Sequence, residues 1–472
     1  MLIVANRKDG LGGRLLAIAN AKALADRLGY RFGFTWNSRT ILDEGSHTVD
    51  VVGKIFSADF IEKHWLGEKI ARARFGVLGG KEFTPSDLGA VAGQGRLRGW
   101  ICDDFDVLDF FHDDHAEPVG RSETLRGLGF SPAVRKALDA ADKCRFPGPM
   151  AALHLRSGDI VHGQNRRRLV FADKVIPSVL AKAIIAELSS KGLTTLLVGQ
   201  DHATLDYLKA ETGASRTSDF GAGEFRDETL KAFFELALMA RCQQIHAGGS
   251  IYATIASLMG DKPCLATDAL FSRFRAADII TDELRAHQSD YHRLEAAFGY
   301  RWAFQSLEGE ISPARARELL GKAHALDPEN DGYDLKMAAA CFREGDYAAG
   351  EAILKSLMTR QSQHRSSLPL PMMDMLTTRL GGYRAMANDF DVFFAAARAG
   401  HPYAMACSAY ILVEVLDDRT SAMAMAADLV KMEPRNPIFR KIRQRVAMGK
   451  KPESGRLAKA GWRLGRLRAL WS

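Results

Sequence analysis

A histidine and an arginine stand at the end of an apolar run in the stretch AALHLRSGDIVHG, residues 151–163. The first five residues predict a buried strand, which contains His154 and leads directly to Arg156, Gly158 and Asp159. In open α/β sheets, ligands bind just beyond the carboxyl ends of the strands. The stretch therefore predicts a ligand site.

Polar residues also follow two other predicted strands. Gln200 and Asp201 come after the strand TTLLVG. Gly248, Gly249 and Ser250 come after QQIHA and open a predicted helix, whose unpaired N–H groups attract anions. Because parallel strands end at one edge of their sheet, we expect these groups to lie beside the first stretch, where a nucleotide would bind.

A glycine-rich turn lies near the start of the chain, in NRKDGLGG. It follows the predicted strand LIVA and precedes the predicted helix RLLAIANAKALADRLG and strand YRFGFTW, so this block is a βαβ unit. The turn can present N–H groups to an anion, or it is only a tight turn. Leu15 occupies the third glycine position of the dinucleotide fingerprint, and no phosphate-binding Gly-Lys-Ser/Thr follows.

Alternating strands and helices position the central residues. The alternation begins after RFPGP, which we interpret as a linker between domains. We expect strands at AALHL, TTLLVG, QQIHA and PCLAT, and helices over 173–190, 202–211, 227–241 and SIYATIASLMG. This order predicts an α/β fold in which helices cover both faces of a parallel sheet.

The chain from Ile311 onward has an all-helical pattern. GKAHALDPEN and the residues after it follow the register of a tetratricopeptide repeat, and LVKMEPRN closes a later, similar unit. Stacked repeats of this kind present a concave surface that binds partners. A plain helical bundle is the alternative.

The formal net charge of +7 is concentrated in the tail. Residues 450–472 hold seven lysines and arginines against one glutamate, a balance of +6, so the remaining chain is close to neutral and we expect no nucleic-acid partner. The end of this tail, GRLAKAGWRLGRLRALWS, has an apolar stripe beside basic residues. It is typical of a helix that lies on an anionic membrane, and the alternatives are docking on the repeats or disorder.

Six cysteines lack the CxxC spacing of a zinc site and do not suggest a disulfide framework. The initial apolar run is too short for a signal peptide, and the sequence lacks an apolar run of about 18 residues that would span a membrane. We expect a cytoplasmic protein, with peripheral contact at the inner face of the membrane through the tail.

DGLGGRLLAIANAKALA and HLRSGD resemble motifs of the fucosyltransferase-like glycosyltransferases, over residues 1–270. The resemblance implies two facing Rossmann-like domains, an arrangement called GT-B, and inverting transfer of fucose from GDP-fucose without a metal or other cofactor. With the repeats it implies four parts: an acceptor-side domain at 1–145, a nucleotide-sugar domain at 146–300, the repeats at 311–449 and the tail at 450–472.

The resemblance also implies roles for individual residues. Arg156 would stabilise the β-phosphate of the departing GDP, and His154 would contact its guanine or ribose. Asp159 would fix the turn or orient Arg156. The remaining donor-binding residues would be Gly248, Gly249 and Ser250 as a phosphate cradle, Gln200 and Asp201 near the nucleotide, and Gly10, Gly12, Gly13 and Arg14 as the wall from the first domain. The base that accepts the acceptor's proton would be His162, Asp9 or one of Asp103, Asp104 and Asp106.

Three positions depart from the family pattern. Gly13 replaces the usual asparagine, Ser157 stands where many members have a second arginine, and Ala253 replaces a serine. These departures leave open a donor that is another GDP- or UDP-sugar. They also leave open a non-catalytic scaffold that binds a nucleotide sugar. The acceptor would be a glycan or a polypeptide, and the repeats would bind it, bind a protein partner or self-associate.

Two charged stretches have alternative interpretations. CDDFDVLDFFHDDHAE, residues 102–117, contains D-x-D and H-x-x-H spacings that could hold Mn²⁺ against a diphosphate, although a solvated loop is more typical of such a cluster. NRRR, residues 165–168, could bind phosphate or an anionic acceptor, and a solvated loop is again the alternative.

Overall fold

The computed structural model describes residues 1–39, 48–93, 97–113, 120–364, 370–377, 379 and 384–449.

The first sheet contains, as one of its two central strands, the strand that precedes the glycine-rich turn. The strands of this sheet are β1 (Leu2–Ala5), β2 (Arg31–Phe34), β3 (Phe75–Leu78) and β4 (Gly99–Cys102). They are all parallel, in the order β2-β1-β4-β3. The predicted βαβ unit at the start of the chain is confirmed.

The second sheet is built around the strand that carries His154. Its strands are β5 (Met150–Leu155), β6 (Thr194–Gly199), β7 (Ser215–Arg216), β8 (Gln244–His246) and β9 (Cys264–Leu265). They are parallel in the order β7-β6-β5-β8-β9, and all six residues of β5 are buried. A strand that is buried on both faces has a continuous apolar sequence, which is why β5 could be predicted from its sequence.

The described residues up to 272 also form α-helices. They are α1 (Leu11–Leu28), α2 (Val52–Ile55), α3 (Ala58–His64), α4 (Pro85–Gly93), α5 (Arg121–Arg126), α6 (Pro132–Asp142), α7 (Gly158–Val161), α8 (Ala181–Ser190), α9 (His202–Thr212), α10 (Glu228–Ala240) and α11 (Ile251–Gly260). The helix predicted over 173–190 is wrong in its first part, because the α-helical residues begin only at Ala181. Pro177 lacks an N–H donor and stands between two short 3₁₀ turns.

The C-terminal region is helical throughout its described residues. Its helices are α12 (Arg273–His287), α13 (Arg293–Ser306), α14 (Pro313–Leu326), α15 (Asp331–Arg343), α16 (Tyr347–His364), α17 (Pro371–Thr377), α18 (Phe390–Arg398), α19 (Pro402–Glu414), α20 (Arg419–Met432) and α21 (Pro437–Met448). The α/β fold with two Rossmann-like sheets and a helical C-terminal region is therefore confirmed. The tetratricopeptide assignment stays a prediction.

Packing divides the chain into two compact units. One contains both sheets, in residues 1–158 and 173–272; the other contains residues 159–172 and the described residues from 273 onward. The four-part division inferred from the sequence stays a prediction. The basic tail at 450–472 lies outside the described residues, and among those described no helix combines the length and apolarity needed to cross a membrane.

Within the helical unit, segment 159–172 is held mainly by α13. Arg301, which is 1% exposed, donates to the carbonyl oxygens of Arg166 at 3.1 Å and Val170 at 2.8 Å. Gln305 donates to the carbonyl oxygen of Leu169 at 2.9 Å. Two side chains of α13 thus satisfy backbone carbonyl oxygens of this segment, whose own helical turns are short.

Candidate functional site

The carboxyl edge of the second sheet brings together the strand ends that the sequence singled out. Leu155 of β5 pairs with Gly199 of β6, and Leu153 pairs with His246 of β8, so the three strands end at nearly the same level. His154 is 7% exposed, and its ring centroid lies 5.6 Å from that of Tyr252 in the first turn of α11. The ring of His154 therefore lies beside the start of that helix.

The start of α11 has free hydrogen-bonding capacity. Ser250 is its N-cap, but the Ser250 hydroxyl is buried and has no hydrogen-bond partner among the described residues. The first N–H groups of a helix lack intrahelical partners and attract negative charge. A buried hydroxyl beside these groups can donate to an anionic ligand.

Glycine is required where the chain reaches this helix. A Cβ on Gly248 would lie 2.4 Å from the backbone carbon of Lys174, a distance that real atoms do not adopt. The N–H of Gly249 donates to the carbonyl oxygen of Asp173 at 2.9 Å. The lack of a side chain at Gly248 therefore lets residues 173–174 lie directly against the turn that leads to Ser250.

The start of α1 meets the start of α11. Gly10 is the N-cap of α1, and the helix begins at Leu11, three residues earlier than the sequence predicts. A Cβ on Gly12 would lie 3.2 Å from the backbone N and Cα of Tyr252. The N-termini of α1 and α11 thus meet at Tyr252. The hydroxyl of Tyr252 donates to the carbonyl oxygen of Ala232 at 2.6 Å.

Asp9 places its carboxylate on the first turn of α1. A Cβ on Gly13 would lie 2.5 Å from Oδ2 and 2.7 Å from Oδ1 of Asp9. Oδ2 accepts hydrogen bonds from Nε and Nη2 of Arg7 at 2.9 and 2.7 Å. Oδ1 is buried and has no hydrogen-bond partner among the described residues.

Arg14 anchors the glycine loop through its side chain, and its place in the donor-facing wall stays a prediction. It is 2% exposed, and it donates to the carbonyl oxygens of Lys8 at 3.1 Å, Asp9 at 2.7 Å and Asn37 at 2.8 Å. Burial, with a contribution from nearby Arg39, lowers the pKa of Arg14 to about 10. The guanidinium still carries its charge at neutral pH, and its hydrogen bonds fix the backbone on which Asp9 stands.

The acidic cluster after β4 engages neighbouring groups individually. Asp103 pairs with Arg72 at 3.1 Å, and Oδ1 of Asp104 accepts the N–H of Phe105 at 2.9 Å. Burial, and then the charges of Asp104 and Asp109, raise the pKa of Asp106. Among the described residues these acids do not converge as a three-ligand metal group, and positions 114–117 of the stretch lie outside those residues.

Arg156 and the next strand end occupy positions that the sequence predicts. Arg156 directly follows β5 and is half-buried, and Gly158 adopts a φ of 40°, which favours glycine. Gln200 is exposed after β6. Asp201 caps α9, accepting the N–H of Thr204 at 3.4 Å and its hydroxyl at 2.6 Å, so it has a structural role there.

His162 and Asp159 pack within the helical unit. His162 Nε2 lies 3.0 Å from Oε1 of Glu295, a carboxylate 1% exposed on α13, and its ring centroid lies 4.9 Å from that of His292. The carboxylate of Asp159 accepts a hydrogen bond from the side-chain amide of Asn165. The assignment of His162 as base stays a prediction.

The arginines of NRRR are largely paired within that unit. Arg166 lies 3.1 Å from Oδ2 of Asp327 and 3.2 Å from Oε2 of Glu329, and Arg167 also pairs with Glu329. Only Arg168 is exposed without a hydrogen bond or ion pair among the described residues. These ion pairs favour a structural role for Arg166 and Arg167 over phosphate binding.

Several solved fucosyltransferase structures are similar to this chain. Fucosyltransferase NodZ from Bradyrhizobium is 15% identical, with 57% of this chain and 97% of that chain covered and a TM-score of 0.35. A point mutant of Arabidopsis thaliana FUT1 in complex with GDP is 12% identical over 56% of this chain and 69% of that chain, with a TM-score of 0.38. POFUT1 in complex with GDP is 14% identical over 56% and 97%, with a TM-score of 0.29.

No protein-family model and no curated protein matches the chain. We therefore base the proposed function on the residues of this chain and on their geometry. Arg7 and Tyr252 are central to that geometry, although neither was predicted from the sequence to belong to the site. Their importance depends on contacts with residues far away in the sequence.

Proposed function

We propose that this protein is a glycosyltransferase that binds a nucleoside-diphosphate sugar at the carboxyl edge of its second sheet. One observation carries the proposal: three segments meet at the first turn of α11. The H-x-R strand reaches Tyr252 through His154 and the N-terminal glycine turn reaches it through Gly12, while the GGS turn leads directly into this helix at Ser250. All three are segments whose residues suit a diphosphate.

The diphosphate would be held by a cation and by helix N-termini. Arg156 at the end of β5 supplies a guanidinium, which forms strong paired hydrogen bonds with phosphate oxygens. The N-terminus of α11 and the buried hydroxyl of Ser250 supply further donors. These groups would stabilise the charge that develops on the leaving diphosphate, so the proposed transfer needs no metal.

Asp9 would accept the proton in this proposal. The bond between the sugar's anomeric carbon and the diphosphate oxygen breaks, and both electrons leave with the diphosphate. The acceptor's hydroxyl oxygen bonds to the opposite face of that carbon, which inverts its configuration, and its proton passes to the carboxylate of Asp9. The Arg7 guanidinium holds Oδ2 of Asp9 and so orients the carboxylate.

GDP-fucose is the donor that we propose, because the motif resemblance points to it. The sequence departures at Gly13 and Ala253 make other GDP- and UDP-sugars the comparison compounds. We propose a glycan or polypeptide as the acceptor.

Calorimetric titration tests the donor site. GDP, GDP-fucose, GDP-mannose and UDP are titrated, in the presence of EDTA, into wild type, Arg156→Ala and a control, Arg168→Ala, at an exposed arginine. We expect selective GDP binding that weakens about tenfold or more in Arg156→Ala, because a hydrogen bond to a charged group contributes roughly 1.5–3 kcal/mol. The control should bind like wild type. Failure of every nucleotide to bind, or binding that needs Mn²⁺ and ignores Arg156, would overturn the proposal.

A further inference from the structure

We infer that Gly13 is a positioning residue, because the absence of a side chain there leaves the space in which the Asp9 carboxylate lies. This inference rests on the proposed function, in which Asp9 accepts the proton. Gly13, which replaces the asparagine of the resembled motif, would then affect the reaction by fixing where the Asp9 carboxylate lies.

The geometry does not allow both groups in their present places. A Cβ at position 13 would be 2.5 Å from Oδ2, 2.7 Å from Cγ and 2.7 Å from Oδ1 of Asp9. Carbon atoms in van der Waals contact stand about 3.5–4.0 Å apart. The carboxylate is the end of a rotatable side chain, whereas position 13 is fixed within α1. A methyl group at position 13 would therefore displace the carboxylate and leave the helix in place.

Arg7 and Arg14 define the position from which the carboxylate would be displaced. The guanidinium of Arg7 holds Oδ2, and its carbon lies 3.7 Å from the ring centroid of Phe105. Arg14 holds the carbonyl oxygen of Asp9 itself at 2.7 Å. With the backbone and Oδ2 fixed in this way, the buried Oδ1 keeps lone pairs that no described residue engages.

The first turn of α1 also favours a carboxylate at this point. Unpaired N–H groups at a helix start carry partial positive charge, and α1 has no acidic residue in its own first turn. Asp9 supplies that negative charge from outside the helix, across the space at Gly13. Alanine at position 13 would fill this space but keep both the charge of Asp9 and the side chain of Arg7. Its effect therefore reports the position of the carboxylate alone.

The test is the kinetic comparison of four variants with wild type. Asp9→Asn removes the proton acceptor, Gly13→Ala displaces it, and the double variant combines both changes. Gly89→Ala is the matched control, because Gly89 lies in α4 and has no atom within 4 Å of the added Cβ. GDP release from GDP-fucose, with water as acceptor, gives kcat and KM, and titration gives the affinity for GDP.

We expect Gly13→Ala to lower kcat by about tenfold or more, since general-base catalysis contributes roughly 10²–10⁴-fold. KM and GDP affinity should stay within about threefold of wild type, because displacing a base leaves ground-state binding intact. The double variant should match Asp9→Asn alone, and Gly89→Ala should match wild type.

Two results separate the inference from the proposed function. A wild-type protein that neither binds GDP nor releases it from GDP-fucose would contradict both. If wild type binds and turns over, wild-type kcat in Gly13→Ala would contradict this inference alone. A double variant with a much lower kcat than Asp9→Asn would also contradict it, because Gly13 would then act through something other than Asp9.

Discussion

The backbone of Tyr252 lies 3.2 Å from the point that a Cβ on Gly12 would occupy. The contact joins the first turns of α1 and α11, with backbone on both sides, so neither partner can rotate away. This close approach links the glycine turn to the helix beside His154.

A larger residue at this contact should separate the two helices. We expect Gly12→Val to lower the free energy of unfolding by about 1–3 kcal/mol, as overpacking of tight contacts does, and to weaken GDP binding. Urea denaturation and titration measure the two effects. Gly89→Val controls for helix propensity, because position 89 is open; equal losses in both variants would contradict the steric explanation.

Gly248 should tolerate no side chain, whereas its neighbour should. A Cβ on Gly248 would meet backbone at 2.4 Å, but the nearest atom to a Cβ on Gly249 would be 3.6 Å away. We expect Gly248→Ala to destabilise by about 1–3 kcal/mol and Gly249→Ala by less than about 1 kcal/mol. Thermal unfolding of the pair measures the difference, and similar melting temperatures would count against this packing of residues 173–174.

His246 should make the protein sensitive to acid. Both of its ring nitrogens lack hydrogen-bond partners among the described residues, and burial lowers its pKa to about 4. The unfolded chain, with a histidine pKa of about 6.5, therefore binds the proton more readily than the folded one. His246 has no effect on stability above pH 6.5, and it lowers stability progressively as pH falls from 6.5 to 4.

The expected loss from His246 at pH 5 is about 2 kcal/mol, since each pKa unit corresponds to 1.36 kcal/mol. His246→Leu should remove this part of the pH dependence in urea titrations at pH 7 and pH 5. His287→Gln, at a half-buried histidine whose Nδ1 lies 3.2 Å from Asp290, is the control. A His246→Leu variant with the same loss of stability as wild type between these pH values would refute the assignment.

A buried ion cluster should be essential to the helical unit. Lys336 is 1% exposed and lies 2.8 Å from Asp389, which is fully buried, and 2.5 Å from Glu308. Removing Lys336 leaves the buried carboxylate of Asp389 with Arg343 as its remaining charged partner and takes the ion pair away from Glu308. We therefore expect Lys336→Met to cost about 3 kcal/mol, the lower end of the range for a broken buried ion pair. Chemical denaturation measures the loss, and Lys355→Met, at an exposed lysine of α16, should cost little. Comparable losses would rule out a special contribution from burial.

Arg301 should control the order of segment 159–172. Arg301→Met would leave the carbonyl oxygen of Val170 without its present donor and that of Arg166 with only the hydrogen bond from the Asn330 amide among the described residues. We expect a loss of about 1–3 kcal/mol and faster hydrogen exchange of the amides in this segment. Arg443→Met, at an exposed arginine of α21, is the control. Unchanged exchange in Arg301→Met would show that other contacts suffice.

Much of the fold was predictable because its signals are local. The apolar runs at Leu2–Ala5 and Thr194–Gly199 match β1 and β6 as the structure has them. The helix predicted from residue 173 shows the limit of this approach. The residues after Pro177 have helical spacing of apolar side chains, but residues 172–174 and 178–180 form 3₁₀ turns and the α-helix begins at Ala181. Pro177 cannot donate the N–H that a continuous helix through this position would need, and the regular helix begins only after it.

The site was predictable only in outline. The chain order of strands and polar residues was enough to suggest that β5, β6 and β8 end together, because parallel strands share their carboxyl edge. The roles of Arg14 as a loop anchor, Arg7 as the partner of Asp9 and Glu295 as the partner of His162 depend on folded contacts. The last of these spans 133 positions, and no local pattern encodes it.

Segment 159–172 begins three residues after Arg156 but owes its packing to the helical unit. This has a practical consequence for engineering. A chimaera joined at residue 272 would combine this segment with foreign helices, which would lack the side chain of Arg301 at the matching place. An exchange of helical regions between related chains should therefore carry the segment along as a second, separate insert, so that each hybrid keeps both halves of the contact from the same parent.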